Sequence, residues 1–145
     1  QLHRADELWE ERRAIARAYD ALLAPYGEFF ETLPELENRQ SSWHLYPLRL
    51  NLDRLSIDRA QFIDELKARG ITCSVHWMPL HLHPYYVKNY GYVPEDFPVA
   101  SAQWPRLLTI PLWPGMTEEQ IRYVAGAVGA VATAHAVGTR EAVLA

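Results

Sequence analysis

"SSWHLYPLRLNL", residues 41–52, alternates in the manner of a strand. Trp43, Leu45 and Pro47 fall on one side, and His44, Tyr46, Leu48 and Leu50 on the other. Pro47 has no N–H to give to a ladder, which predicts an edge position or a bulge there. Working outward, "SIDRAQFIDELKARG" (56–70) follows as a helix. Ser56 suits its N-cap, Asp58 complements the positive end of its dipole, and Phe62, Ile63 and Leu66 form its buried stripe. Gly70 is the natural stop. "ITCSVHW" (71–77) then reads as a second short strand and "RLLTIPL" (106–112) as a third, closed by Pro111 and Pro114.

Two longer helices frame these strands. The chain opens on "QLHRADELWEERRAIARAYDALL" with apolar residues at Leu2, Ala5, Leu8/Trp9, Ile15/Ala16, Tyr19 and Leu22/Leu23. This is helical periodicity, broken at Pro25 and Gly27. "TEEQIRYVAGAVGAVATAHA" (117–136) is the last helix. Thr117 and Gln120 form a capping box, and Ile121, Val124, Ala125, Val128 and Val131 supply its apolar face. Gly126 and Gly129 would let another backbone come close, or would simply weaken the helix. Residues 79–104 read as loop and short helix. The resulting order predicts an α+β domain, a small three-stranded, largely antiparallel sheet with helices packed on one face. It occupies residues 1–135, and 136–145 form a tail without a clear partner. A first helix already in register at Gln1 predicts a piece of a longer protein.

The bulk numbers narrow the function classes. The chain has 145 residues, a formal charge of −4 and no basic run. Nucleic acid and an anionic membrane surface are therefore not expected partners. No stretch is apolar enough to span a bilayer, and the cytoplasm is the default location. The single cysteine, Cys73, reads as a buried structural thiol.

"SVHWMPLHLHPYY" (74–86) concentrates the chemistry: His76, His81 and His83 fall within eight positions, among Trp77, Tyr85, Tyr86 and two prolines. A zinc site needs three or four ligands converging at about 2 Å. This spacing is awkward for that, and no second cysteine or near carboxylate completes a set, so no metal is expected. There is no glycine-rich phosphate loop and no nucleophile elbow. His44 reads as a packed strand histidine, and His83 and His135 have no assigned role. Two readings of the loop remain. In one, imidazole and phenol groups hydrogen-bond a ligand and the rings stack on it, in a loop stiffened by proline. In the other, the aromatics pack against one another. A free-standing α+β module binding a small ligand through residues 76–86 is one functional possibility.

Four stretches in sequence order point to another. "QLHRADELWEERRAIARAYDALL", "SSWHLYPLRL", "GITCSVHWMPLHLHPYY" and "DFPVASAQWPRLLTIPLWPGMTEEQIRYV" together resemble the C-terminal part of the DegT/DnrJ/StrS family. These are fold type I, pyridoxal phosphate-dependent sugar-nucleotide aminotransferases. The resemblance implies a C-terminal small domain whose cofactor domain lies upstream. It implies transfer of an amino group from an amino acid, usually glutamate, to a keto-sugar linked to a nucleotide, in a homodimer. By position it marks His81 first, then Tyr85 and His76, as substrate contacts in a loop over the cleft. Arg49 and Arg106 suit a donor carboxylate or a nucleotide phosphate, because a guanidinium is a planar bidentate donor. The family's Schiff-base lysine has no counterpart here: Lys67 and Lys88 match no such motif. The resemblance thus implies that no catalytic residue and no bound pyridoxal phosphate belong to this stretch, and that alone it is inactive.

Overall fold

The computed structural model describes residues 2–137, and part of the alternating stretch 41–52 forms strand β2, Tyr46–Leu50. The sheet has four strands, in the order β1-β2-β4-β3, all pairs antiparallel. Here β1 is Phe30–Glu31, β3 is Ser74–Val75 and β4 is Leu107–Ile110. The sequence predicts three of these. The fourth, β1, is two residues long and too short to show a period, so its segment reads as mixed chain. Pro47 sits in an inner strand rather than at an edge. However, β1 pairs only with Arg49 and Leu50, so at Pro47 the strand has one neighbour, β4. That local edge is what a proline tolerates.

The strand also starts later than the alternation suggests. Trp43 adopts a φ of +47°, a conformation bulky residues rarely enter. Its N–H donates to Ser41 Oγ at 3.2 Å. This turn breaks the two-residue period, so Trp43 and Tyr46 enter the core together and stack with centroids 6.2 Å apart. Their expected placement on opposite faces does not hold.

Helix α1 (Ala5–Leu23), α2 (Arg59–Ala68) and α5 (Glu118–Ala134) cover one face of the sheet. The register sets Tyr46 opposite Ile110 and Leu48 opposite Leu108. All four are buried with Ile15, Tyr19, Leu23, Phe62, Leu66, Val128 and Val131. The α5 stripe is buried as its periodicity predicts, and the Thr117–Gln120 capping box forms. In α2 the cap is Asp58, in a capping box with Gln61, and not Ser56. Ser56 instead donates its N–H to the carbonyl of His135 at 2.8 Å, which draws it away from the helix. The stop at Gly70 holds, with φ +74° and its N–H on Lys67. Of the expected tail, Ala136 bridges Leu55 and the Val137 N–H reaches Arg54 O at 3.0 Å. Positions 138–145 lie outside the described residues.

Gly129 accommodates a side chain rather than a backbone: a Cβ there would stand 2.3 Å from the Tyr26 ring. Gly126 faces open space. Gly129→Ala should therefore cost about 1–3 kcal/mol by overpacking. Gly126→Ala should add about 1 kcal/mol through helix propensity. Chemical denaturation of the two variants checks this, and equal effects would refute the contact.

Inside α1, Asp20 Oδ1 accepts the Tyr46 hydroxyl at 2.6 Å. Burial holds the Asp20 carboxyl above the usual carboxylate range, outweighing that hydrogen bond, with the charge of Glu35 adding to the rise. A raised folded-state value means the folded protein keeps the proton more firmly. The stability this gives is full below the unfolded carboxylate range and is lost as pH rises through the folded value. Asp20→Asn retains an acceptor for Tyr46. Relative to wild type, it should gain stability as pH rises across that window. A loss at neutral pH, measured by urea titration at several pH values, would contradict this.

Candidate functional site

The sheet face turned away from α1 and α5 carries the polar residues. Register places Glu31 opposite Arg49 and Pro47 opposite Thr109, so these share a face, since alternate residues of a strand point the same way. Arg49 pairs with Glu31 through Nη2 and lies 3.4 Å from Gln103 Oε1 through Nη1. Its Nε is buried without a partner. Arg106 donates from Nε to the Leu50 carbonyl at 2.6 Å, and its Nη2 stands 3.6 Å from Glu31 Oε1. Two guanidinium groups thus converge on one carboxylate. Beside them opens a groove of about 510 Å³ lined by Glu31, Leu33, Pro34, Pro47, Arg49 and Leu107.

His76 joins the same face one strand further. Its Nε2 is 3.0 Å from Thr109 Oγ1, and its carbonyl accepts the Trp104 indole N–H at 3.1 Å. The remaining predicted contacts lie elsewhere, in an aromatic arm that includes α3 (Pro84–Tyr90) and α4 (Pro98–Gln103). Rings run in sequence from Tyr85 through Tyr86, Tyr90, Tyr92 and Phe97 to His81, each 4.6–5.9 Å from the next. His81 is 5% exposed and Tyr85 63%. His81 Nε2 lies 2.8 Å from Ser101 Oγ, while that hydroxyl donates to the Pro94 carbonyl at 2.9 Å. A hydroxyl has one proton, so His81 donates and carries its proton on Nε2. His83 donates likewise, from Nε2 to the Met78 carbonyl at 3.0 Å, a structural part the sequence did not assign.

The structure therefore brings Arg49, Arg106 and His76 to one sheet face and places His81 and Tyr85 on the arm. His81 points inward and Tyr85 outward. The arm packs internally, ring on ring, and also presents rings such as Tyr85 to solvent. Sequence reasoning missed Glu31, whose place follows only from strand register. It also gave no weight to Trp77, now 95% exposed. Its neighbours His76 and Met78 carried no signal of that exposure. Among the described residues no group of three or more His, Cys, Asp or Glu is placed to hold a metal ion. Likewise, no helix among them is long and apolar enough to cross a membrane. Cys73 is half-buried, and burial pushes its thiol up to about 11. Lys67 and Lys88 are both exposed, on α2 and α3, and neither lines the Arg49 groove.

A four-stranded antiparallel sheet covered on one face by helices defines an α+β small domain. The family model described as DegT/DnrJ/EryC1/StrS aminotransferase matches residues 1–129. The chain belongs to that family. It is 34% identical over 135 residues to the spore coat polysaccharide biosynthesis protein SpsC of Bacillus subtilis. It is 41% identical over 134 residues to protein MJ1066 of Methanocaldococcus jannaschii. Each alignment covers 88% of this chain and 33% of the relative. Among solved structures, Spr1654 of Streptococcus pneumoniae, described as a sugar aminotransferase and solved in its PLP form, superposes with a TM-score of 0.81 at 32% identity. That match covers 92% of this chain and 33% of the other. The chain thus spans about a third of the length of these relatives.

Ser101 is the one hydrogen-bond partner the His81 ring has among the described residues. Ser101→Ala should weaken the arm by about 1 kcal/mol. Amide exchange should speed up over residues 80–101 and stay unchanged in β2 and β4. Uniform exchange across both regions would argue that the arm is not a separate unit.

Proposed function

We propose that this chain is the C-terminal small domain of a pyridoxal phosphate-dependent aminotransferase. The enzyme moves an amino group from an amino acid, glutamate, to a keto-sugar linked to a nucleotide. Family membership over residues 1–129, together with coverage of about a third of each relative, carries this reading. The cofactor, its Schiff-base lysine and most phosphate contacts belong to the two thirds of the relatives that this chain does not span. When bound, the cofactor supplies the electron sink on which amino transfer depends.

This chain's own residues bind and orient. Arg49 and Arg106 present forked donors suited to a donor carboxylate or a nucleotide phosphate. Tyr85 and His76 offer a phenol and an imidazole edge to sugar hydroxyls, and exposed rings such as Trp77 can stack on a sugar face. His81 acts through the arm: buried against Phe97 and bonded to Ser101, it holds the loop in shape rather than reaching the sugar. Closure of such an arm over a bound sugar excludes water from the reacting atoms. A cytoplasmic homodimer belongs to the same reading.

The test uses the full-length protein. With glutamate as donor, formation of 2-oxoglutarate against a nucleotide-linked keto-sugar should be lysine-dependent, and residues 1–145 alone should give none. Arg106→Gln should raise the KM of one substrate roughly 10–100-fold, the effect of losing a charge-assisted hydrogen bond. Turnover by residues 1–145 alone, or an Arg106 variant with unchanged kinetics, would count against the assignment.

A further inference from the structure

Resting on the reading of Arg49 and Arg106 as substrate contacts, we infer that Glu31 is a built-in stand-in for the donor's carboxylate, occupying the two-arginine site until the donor displaces it. Both guanidinium groups are anchored independently of Glu31. Arg106 is held by the Leu50 carbonyl and Arg49 by Gln103. The forks therefore keep their places when the carboxylate between them is exchanged. Glu31 is differently situated. It ends a strand of two residues at the sheet edge, and its side chain is 51% exposed, so it can turn to solvent without uncovering core.

The charges fit a second anion. Two arginines face one carboxylate, and the buried Nε of Arg49 still lacks an acceptor. A carboxylate already sits between the two guanidinium groups, one oxygen toward each, so a second carboxylate can take the same place. The adjoining groove, walled by Leu33, Pro34, Pro47 and Leu107, suits the short aliphatic chain of an amino acid. Competition from Glu31 weakens donor binding and, by the same measure, speeds release of the oxo acid left after amino transfer. Glu31 is thus a positioning residue that sets donor affinity.

The experiment measures glutarate, a non-reacting dicarboxylate, by calorimetry on the full-length protein, with pyrophosphate in parallel. Glu31→Gln keeps the shape and removes the charge. Glutarate should then bind about tenfold tighter or more, the scale of one charge-assisted contact. The donor KM should fall and release of the oxo acid should slow in step. Glu31→Asp, which keeps the charge, should not tighten binding, whereas a merely structural pair would be disturbed by both variants. If Arg49→Gln weakens glutarate while Glu31→Gln leaves it unchanged or weaker, the stand-in role is overturned and the arginine contacts stand. Tightening confined to pyrophosphate overturns the carboxylate assignment. If neither Arg49→Gln nor Arg106→Gln alters either ligand, the contact reading fails together with this one.

Discussion

A two-sided strand with one covered face governs this structure. Tyr46, Leu48 and Leu50 of β2 and their partners Leu108 and Ile110 of β4 are almost wholly removed from water. Each such aliphatic or aromatic side chain contributes roughly 1.5–3 kcal/mol by burial. Because strand residues alternate, burying this set obliges Pro47, Arg49, Leu107 and Thr109 to face the other way. A slip of one residue in the β2–β4 register would drive Arg49 into the core and expose Tyr46. The arrangement of the polar face is therefore fixed by the packing of the apolar one.

From that constraint the site follows. The antiparallel pairing of β1 with β2 sets Glu31 against Arg49, and Arg106 enters just before β4 and joins them. Thr109 receives His76 from the segment after β3. The arm between His76 and Trp104 returns its indole to the His76 carbonyl, tying both ends of the excursion to the same sheet face. Its rings pack along one path, some stacked and some edge-on, and Trp77, Tyr85 and Tyr90 are exposed.

Much of the frame was legible because long elements carry a period. The stripe of α5, the capping box at Thr117 and the stop at Gly70 are local, and local signals survive folding. What failed was short or depended on distant partners. Two-residue β1 has no period to read. Ser56 is not the cap: its hydroxyl and its N–H both turn to the carbonyl of His135, 79 positions away, and Asp58 caps instead. The left-handed turn at Trp43 reset the alternation of the strand. On the polar face, residue type drew attention to Arg49 and Arg106, and the family resemblance marked His76. Their convergence on Glu31 and Thr109 needed the register. His81 shows the converse limit: a histidine in a promising loop can spend its ring on internal bonds, and only a count of its partners reveals it.

The central proposal is that the sheet face opposite α1 and α5, with Arg49, Glu31 and Arg106, is turned toward the substrate. A crystal structure of the full-length protein with a bound nucleotide-linked sugar or glutarate tests it most directly. The account predicts ligand oxygens within hydrogen-bond reach of the Arg49 and Arg106 guanidinium groups and the aromatic arm closed over the ligand. A ligand bound elsewhere, with this face in open solvent and the Arg49–Glu31 pair undisturbed, would contradict it.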